Sequence, residues 1–198
     1  MVIMDIAFVV AAYLLGALPF GLIFSKAFTQ VDIREHGSGN IGATNALRVA
    51  GPKVGILTLL ADVAKGALPL YLALQHTPSE MLISLIAIAV FMGHMFPVYL
   101  RFQGGKGVAT MLGILLVWQP WVALGAVLVW AAVLFFSRYV SAASIAAASV
   151  LPLLSWYFNG SLLVIGVHAF FGVTVVLRHC KNIERLLAGV ESKIGGKT

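Results

Sequence analysis

Seven stretches of apolar residues, separated by short polar connections, account for most of this chain. Each is predicted to form an α-helix, and most reach the length of about 20 residues that a helix needs to cross a bilayer. The stretches are Ile3–Phe28, Pro52–Leu74, Met81–Val98, Val108–Trp118, Trp121–Phe136, Val140–Phe158 and Ser161–Leu177. This pattern predicts an all-α polytopic membrane protein with seven transmembrane helices.

Three features modify the simple pattern. Pro19 is predicted to kink the first helix, because proline lacks the backbone N–H that continues the helical ladder. Val108–Trp118 covers only about half of a bilayer and is predicted to be short or re-entrant. The tail from Arg178 onward is basic, with apolar residues at helical spacing, and is predicted to lie along the membrane surface.

Composition agrees with a membrane protein and argues against nucleic-acid binding. Hydrophobic residues make up 61% of the 198 residues, charged residues only 10%, and the mean hydropathy is +1.00. Lys and Arg outnumber Asp and Glu by 13 to 7, but they are spread among short connections rather than along one continuous face. No internal boundary or repeat is visible, so residues 1–198 are predicted to form a single integral membrane domain.

The basic residues also predict the topology. Seven crossings place alternate connections on opposite sides, and every Lys and Arg except Lys65, which is inside the second stretch, then falls on one side. By the positive-inside rule that side is the cytoplasm, so the C-terminus is predicted to be cytoplasmic and the N-terminus outside.

Two polar, glycine-rich segments lie on the predicted cytoplasmic side. The first glycine-rich segment is Ile33–Gly51 and the second is Tyr99–Thr110. Glycines let backbone amides approach an anion, Lys106 adds a positive charge, and a helix starting near Gly107 directs its positive end at the same place. We expect the two segments to meet and bind phosphate. The alternative, tight turns with a lysine that extends to the interface, is weakened by the presence of two such segments.

Familiar nucleotide and metal motifs are not matched. Gly37, Gly39 and Gly42 fit GxGxxG, but the preceding strand of a soluble βαβ unit is missing. The GGKG run at Gly104 does not complete a P-loop. The chain has no HExxH and no row of aspartates, so neither a metal nor a cofactor is predicted.

Several polar residues lie within the apolar stretches. Asp62 and Lys65 are three apart and are predicted to pair on one helix face, with a structural role preferred over a functional one. His168 is predicted to be a buried histidine. Ser141 and Ser144 share a face at the start of the sixth stretch and are predicted to reach the polar pocket, with small-residue packing as the alternative.

Four segments resemble the signature segments of the bacterial acyl-phosphate:glycerol-3-phosphate acyltransferases. They are GSGNIGATNALR from Gly37 to Arg48, HMFPVYLRFQGGKGVAT from His94 to Thr110, SRYVSAAS from Ser137 to Ser144, and HCKNI from His179 to Ile183. The resemblance follows the whole chain in order, including seven spans and an outward N-terminus. One departure is Cys180, where the family generally has arginine.

The resemblance implies transfer of a fatty acyl group from acyl phosphate to the 1-position of sn-glycerol 3-phosphate. The products would be lysophosphatidic acid and inorganic phosphate, in the first acylation step of phospholipid synthesis. It also implies a bacterial inner membrane enzyme whose active site faces the cytoplasm, with membrane lipid as its surroundings and no obligate protein partner.

Residue roles follow from the same resemblance. Glycerol 3-phosphate would be bound by Ser38, Arg48, Lys106, His179 and Asn182. Acyl phosphate would be bound by Gly37, Gly39, Asn40, Gly42, Thr44, Asn45, Gly104, Gly105, Ser141 and Ser144. The catalytic residues would be His179, Lys106 and Ser38. Either His179 or a substrate phosphate could take the proton of the attacking hydroxyl, and the sequence leaves both open.

Two other functional classes compete with the enzyme. A transporter for a small organic phosphate would also need a basic polar site, but its binding groups typically lie near the membrane midplane in two equivalent halves. A purely structural membrane protein would leave two cationic glycine-rich segments unexplained.

Overall fold

A computed structural model describes residues 2–77, 79–158 and 161–195, and within these ranges every regular element is a helix. The prediction of an all-α protein is therefore confirmed for the described part of the chain. The predicted turns at Pro78 and at Asn159 and Gly160, and the basic Lys197, lie outside the described residues. The chain divides into two compact units, Met1–Trp118 and Gln119–Thr198.

The first unit contains five α-helices. They are α1 (Val2–Gly16), α2 (Phe20–Thr29), α3 (Ala43–His76), α4 (Glu80–Met95) and α5 (Val108–Trp118), with a 3₁₀ turn at Val98–Leu100. The kink predicted at Pro19 is present as a break between α1 and α2. Helix α3 packs against α2, α4 and α5, while α1 packs against α4. Gly66 lets α3 approach α5 closely, because a Cβ there would collide with the Thr110 carbonyl.

The second unit contains five further helices. They are α6 (Pro120–Ser137), α7 (Val140–Ser149), α8 (Leu151–Phe158), α9 (Leu162–Arg178) and α10 (Cys180–Leu187). Helices α7 and α8 meet at an angle of 40°, and α9 and α10 at 56°. The helix predicted in the basic tail is thus present as α10.

Four helical segments of the described chain are long and apolar enough to cross a membrane. They are Ile3–Thr29, Ala43–His76, Glu80–Leu100 and Pro120–Ser137. The count rises to six if each bent pair in the second unit forms one span. The stretch predicted to be short is the 11-residue helix α5. Large side chains such as Phe136 and Leu162, which are 84% and 86% exposed, suit contact with lipid.

The helix α3 corrects one prediction. Residues 43–50 were expected to be part of a polar loop, but they form about two helical turns ahead of the apolar stretch. Gly42 precedes the helix with an extended backbone, and Gly51, with φ 85°, interrupts it just before Pro52. The Gly, Asn and Thr residues here favour a loop, but burial of Ala46 against the unit favours the helix.

Candidate functional site

The first glycine-rich segment is held together by the side chain of Asn45. Its Oδ1 accepts a hydrogen bond from the Ser38 N–H at 2.9 Å, and its Nδ2 donates to the carbonyls of Ile33 and Asn40 at 2.8 and 2.9 Å. Asn45 is 2% exposed, so these bonds are shielded from water. A Cβ at Gly37, where φ is 61°, would collide with the Asn45 Oδ1. Asn45 therefore acts by shaping the segment.

A small apolar cluster joins the two glycine-rich segments. Ile33, Ile41, Ala46 and Val54 are buried together, and Leu100 from the second segment packs against them. The expected meeting of the two segments is confirmed by this shared base. Because the side chains of this cluster are buried, water is excluded from the base of the two segments.

The second glycine-rich segment is fastened to the end of α4. The N–H groups of Gly104 and Gly105 donate to the carbonyls of Met95 and His94 at 3.2 and 3.1 Å. Arg101 and Phe102 have φ values of 50° and 63°, a left-handed conformation that is uncommon outside glycine and bends the chain sharply. Lys106 is half-buried and lies two residues before α5, which begins at Val108 as predicted.

Several predicted site residues of the first unit are accessible to a ligand. Ser38 is exposed, and Thr44 and Arg48, four apart in the first turns of α3, are also exposed. The N-terminal N–H groups of α3 supply partial positive charge near Thr44 and Arg48, and those of α5 supply it near Lys106. Hydroxyl groups, backbone amides, a guanidinium and an ammonium group together can hold a phosphate.

The second unit has its own polar network, centred on Glu191. Its Oε1 accepts hydrogen bonds from Ser141 Oγ at 2.7 Å and Asn182 Nδ2 at 2.6 Å, and Arg185 Nε binds its Oε2 at 2.6 Å. The two predicted site residues Ser141 and Asn182 are thus brought together. Just beyond, the Ile194 N–H donates to the Arg138 carbonyl at 2.9 Å, which fastens the tail to the α6–α7 turn.

Glu191 is the functional candidate that sequence reasoning missed. Partial burial raises the pKa of its carboxyl, but the bonds from Ser141, Asn182 and Arg185 outweigh this, and the pKa is lowered from 4.5. Glu191 is therefore ionised at neutral pH. The available signal was an acidic residue, one of only two in the basic tail from Arg178 onward.

His179 lies at the junction of α9 and α10 and is 3% exposed. Its Nδ1 is 2.8 Å from the Val175 carbonyl. Because a carbonyl can only accept, Nδ1 carries the proton, and in the neutral ring Nε2 is the atom able to accept one. The neighbouring Cys180 thiol is exposed. Ser144, the remaining serine of the pair, donates to the Val140 carbonyl and accepts from Trp130 Nε1.

The predicted pairing of Asp62 and Lys65 is confirmed. Lys65 Nζ lies 2.7 Å from Asp62 Oδ1, and both side chains are almost fully buried. His168 is buried as predicted, with its ring beside that of Phe171.

A surface ion pair lies next to the first glycine-rich segment. The Arg34 guanidinium donates to both carboxylate oxygens of Asp32, at 2.9 and 2.6 Å, and Lys26 Nζ lies 3.2 Å from Asp32 Oδ2. The hydrogen bond from the Arg34 guanidinium is the main reason that the pKa of Asp32 lies well below its usual range. The same contact raises the pKa of Arg34.

Comparison with known proteins identifies the family. A family model described as glycerol-3-phosphate acyltransferase matches residues 6–189. A glycerol-3-phosphate acyltransferase from Syntrophotalea carbinolica is 47% identical over 184 residues, covering 92% of this chain and 94% of that protein. Another from Ralstonia pickettii is 44% identical over 200 residues, covering 99% and 97%.

Solved structures agree with the sequence relatives. The chain is similar to the glycerol 3-phosphate form of PlsY (YgiH), an integral membrane glycerol 3-phosphate acyltransferase, with a TM-score of 0.93 and 38% identity over 97% of this chain and 96% of that one. The lysophosphatidic acid form gives a TM-score of 0.89 over 96% and 95%, at the same identity. These matches confirm the resemblance carried by the four polar segments, and the chain belongs to the PlsY family of bacterial integral membrane glycerol-3-phosphate acyltransferases.

Proposed function

We propose that this acyltransferase uses acyl phosphate as donor and the 1-hydroxyl of sn-glycerol 3-phosphate as acceptor. The hydroxyl oxygen forms the new ester bond with the acyl carbon, and the bond between that carbon and the phosphate oxygen breaks. Lysophosphatidic acid and inorganic phosphate are released. The observation that carries the proposal is the joining of two cationic glycine-rich segments over one apolar base, because both substrates carry phosphate.

Glycerol 3-phosphate binding is assigned to five side chains, those of Ser38, Arg48, Lys106, His179 and Asn182. The exposure of Ser38 and Arg48 supports this role. Relatives with a glycerol 3-phosphate form and a lysophosphatidic acid form, which would be acceptor and product here, support the choice of acceptor.

Acyl phosphate binding is assigned to the glycine-rich backbone. The groups proposed are those of Gly37, Gly39, Asn40, Gly42, Thr44, Asn45, Gly104, Gly105, Ser141 and Ser144. Asn45 contributes through the loop that it holds, since its amide is engaged with backbone groups. Ser141 contributes to acyl phosphate binding from beside Glu191, which accepts a hydrogen bond from its hydroxyl.

Catalysis on this proposal depends on positioning and charge. Acyl phosphate is an activated mixed anhydride, so a protein nucleophile is unnecessary, and Lys106 and Ser38 would stabilise the charge that develops on the acyl and phosphate oxygens. His179 Nε2 is one candidate to accept the hydroxyl proton, and a substrate phosphate is the other. No metal or cofactor is required by this scheme.

The membrane arrangement is also a proposal. We infer seven spans, with α5 as a short one, an outward N-terminus and a cytoplasmic C-terminus, in the inner membrane with the active site on the cytoplasmic side. Residues 1–198 then act as one domain, in agreement with a family model that extends from residue 6 to 189. Membrane lipid surrounds the helices, and neither nucleic acid nor an obligate protein partner is required.

Purified protein in detergent, supplied with palmitoyl phosphate and glycerol 3-phosphate, tests the reaction. We expect one phosphate released per lysophosphatidate formed, with the ester at position 1. A protein that forms lysophosphatidate only from acyl-CoA, or esterifies position 2, would contradict the proposal. Uptake of glycerol 3-phosphate into liposomes without an acyl donor would instead favour a transporter.

The choice of base is tested separately with His179→Ala. If His179 accepts the proton, kcat falls by roughly 100-fold or more at saturating substrate, the lower range of general base catalysis. Near-normal kcat would assign the proton to a substrate phosphate. Cys180→Ser, an exposed neighbour, is the matched control and is expected to retain activity.

A further inference from the structure

Three buried ionisable side chains meet inside the first unit, and none of them is a proposed substrate contact. Asp62 and Lys65 of α3 and His94 of α4 are 2%, 3% and 4% exposed. Asp62 Oδ1 lies 2.7 Å from Lys65 Nζ and 3.6 Å from His94 Nδ1. Charges buried this deeply are unfavourable unless they are paired, so the network requires an explanation beyond helix packing.

One end of the network fixes the break in the first span. Lys65 Nζ donates a hydrogen bond of 2.8 Å to the carbonyl of Leu18, between α1 and α2. Its ammonium group also lies 5.7 Å from the centre of the Phe20 ring. The same carbonyl accepts a hydrogen bond from the Phe20 N–H at 3.1 Å, so the lysine adds a second hydrogen bond at the break between the two helices.

The other end contacts the second glycine-rich segment. The His94 imidazole lies against the backbone of Gly105, so that a Cβ at position 105 would collide with His94 Nε2. The Gly105 N–H in turn donates to the His94 carbonyl at 3.1 Å. Lys106 follows directly, and its position is therefore set by a backbone that both the ring and the carbonyl of His94 hold.

We propose that His94, oriented by the Asp62–Lys65 pair, is a positioning residue for the phosphate site. The ring fixes the path of Gly104–Lys106, and the negative charge of Asp62, 3.6 Å from Nδ1, favours this orientation of the ring. Loss of the ring lets the segment shift, which weakens phosphate binding without removing any group that touches substrate. The inference rests on the proposed phosphate-binding role of this segment and extends it to residues inside the membrane helices.

A double-mutant cycle tests the contact between His94 and Gly105. Gly105→Ala is expected to raise the KM for the phosphate substrates by roughly 100-fold, because the new methyl group displaces either the ring or the segment. His94→Ala is expected to raise KM by about tenfold, with kcat changed by less than about threefold. In the double variant the vacated space accepts the methyl group, so KM stays well below the product of the two single effects. We expect the KM effect of the double variant to be smaller than that product by about tenfold or more, which is the size of coupling seen for residues in contact.

The control is His168→Ala, which removes another fully buried histidine, in the second unit. It is expected to leave both KM values unchanged, while thermal unfolding in detergent reports any loss of stability for every variant. If His94→Ala cannot be purified, His94→Asn enters the same cycle. The inference is overturned if the KM of the double variant equals the product of the two single effects to within about twofold. It is also overturned if a His94 variant has lowered stability but an unchanged KM. Failure of the wild-type protein to form lysophosphatidate would instead overturn the proposed function.

Discussion

The two polar networks, Asp62–Lys65–His94 in the first unit and Ser141–Asn182–Arg185–Glu191 in the second, have the same plan but different surroundings. In each, one carboxylate gathers groups from separate helices and holds a segment that carries proposed site residues. The side chains of Asp62 and Lys65 are almost fully buried, whereas the side chain of Arg185 is 36% exposed. One network is shielded from solvent, and the other is partly in contact with it.

This difference in exposure determines how much stability each network loses when one of its residues is substituted. In the buried network every charge depends on its partner, because water cannot replace the lost contact. In the Glu191 network the arginine can turn to solvent when the carboxylate is removed. The stability that is lost then comes mainly from the hydrogen bonds of the buried Ser141 and Asn182. The expected effects of substitution therefore decrease from the first network to the second, and again to the surface pair of Asp32 and Arg34.

The largest effect is expected for Lys65→Met. Removing the ammonium group leaves the Asp62 carboxylate buried without its partner, which costs about 3–5 kcal/mol of the free energy of unfolding. Denaturant unfolding in detergent micelles measures this. The double variant Asp62→Leu with Lys65→Met removes both charges and is expected to recover most of the loss. If the double variant is less stable than Lys65→Met alone, the two residues do not depend on one another as described.

A smaller effect is expected for Glu191→Gln. The amide keeps the shape of the side chain but weakens the bonds from Asn182 and Arg185, with an expected loss of about 1–3 kcal/mol. The KM for glycerol 3-phosphate should rise, because Asn182 is no longer held in place. Glu184→Gln, an exposed glutamate on the same helix as Asn182, is the control and should behave like the wild type.

The same network predicts a dependence on pH. A carboxyl whose pKa is lower in the folded state stabilises the fold above its unfolded pKa, and this contribution is lost as pH falls through the folded value. The pKa of Glu191 is lowered from 4.5. The stability difference between wild type and Glu191→Gln should therefore be full at neutral pH and shrink below about pH 4.5. A difference that grows on acidification would contradict this assignment.

The smallest effect is expected at the surface pair. Arg34 is 45% exposed, and solvent screens its bond to Asp32. Arg34→Ala is expected to cost less than about 1 kcal/mol. Raising the salt concentration should reduce that difference further, and thermal unfolding at low and high salt measures it. A cost as large as that of Lys65→Met would mean that exposure does not govern these networks.

The sequence predicted those features that depend on neighbours along one helix. Asp62 and Lys65 are three residues apart, so their pairing follows from helical geometry. The part played by His94 could not be predicted in this way, because it lies on another helix and its contact depends on how α3 and α4 pack. Glu191 was missed for the same reason, since its partners come from α7 and α10.

Local composition misled the interpretation at one place. The Gly, Asn and Thr residues around Ala43 favour a loop, yet tertiary packing of Ala46 makes the region helical. Asn45 was predicted among the residues that bind acyl phosphate, and its hydrogen bonds to the backbone of the segment could not be predicted, because they depend on the path of the loop.

We propose that the two glycine-rich segments form one phosphate site on the cytoplasmic face. In a Cys180→Ser background, single cysteines at Glu35 and Gln103, which are both exposed, can be treated with a membrane-impermeant maleimide in right-side-out and inverted vesicles. We predict that both positions react only in inverted vesicles, and that glycerol 3-phosphate slows both reactions. Reaction of the two positions from opposite sides of the membrane would contradict the claim.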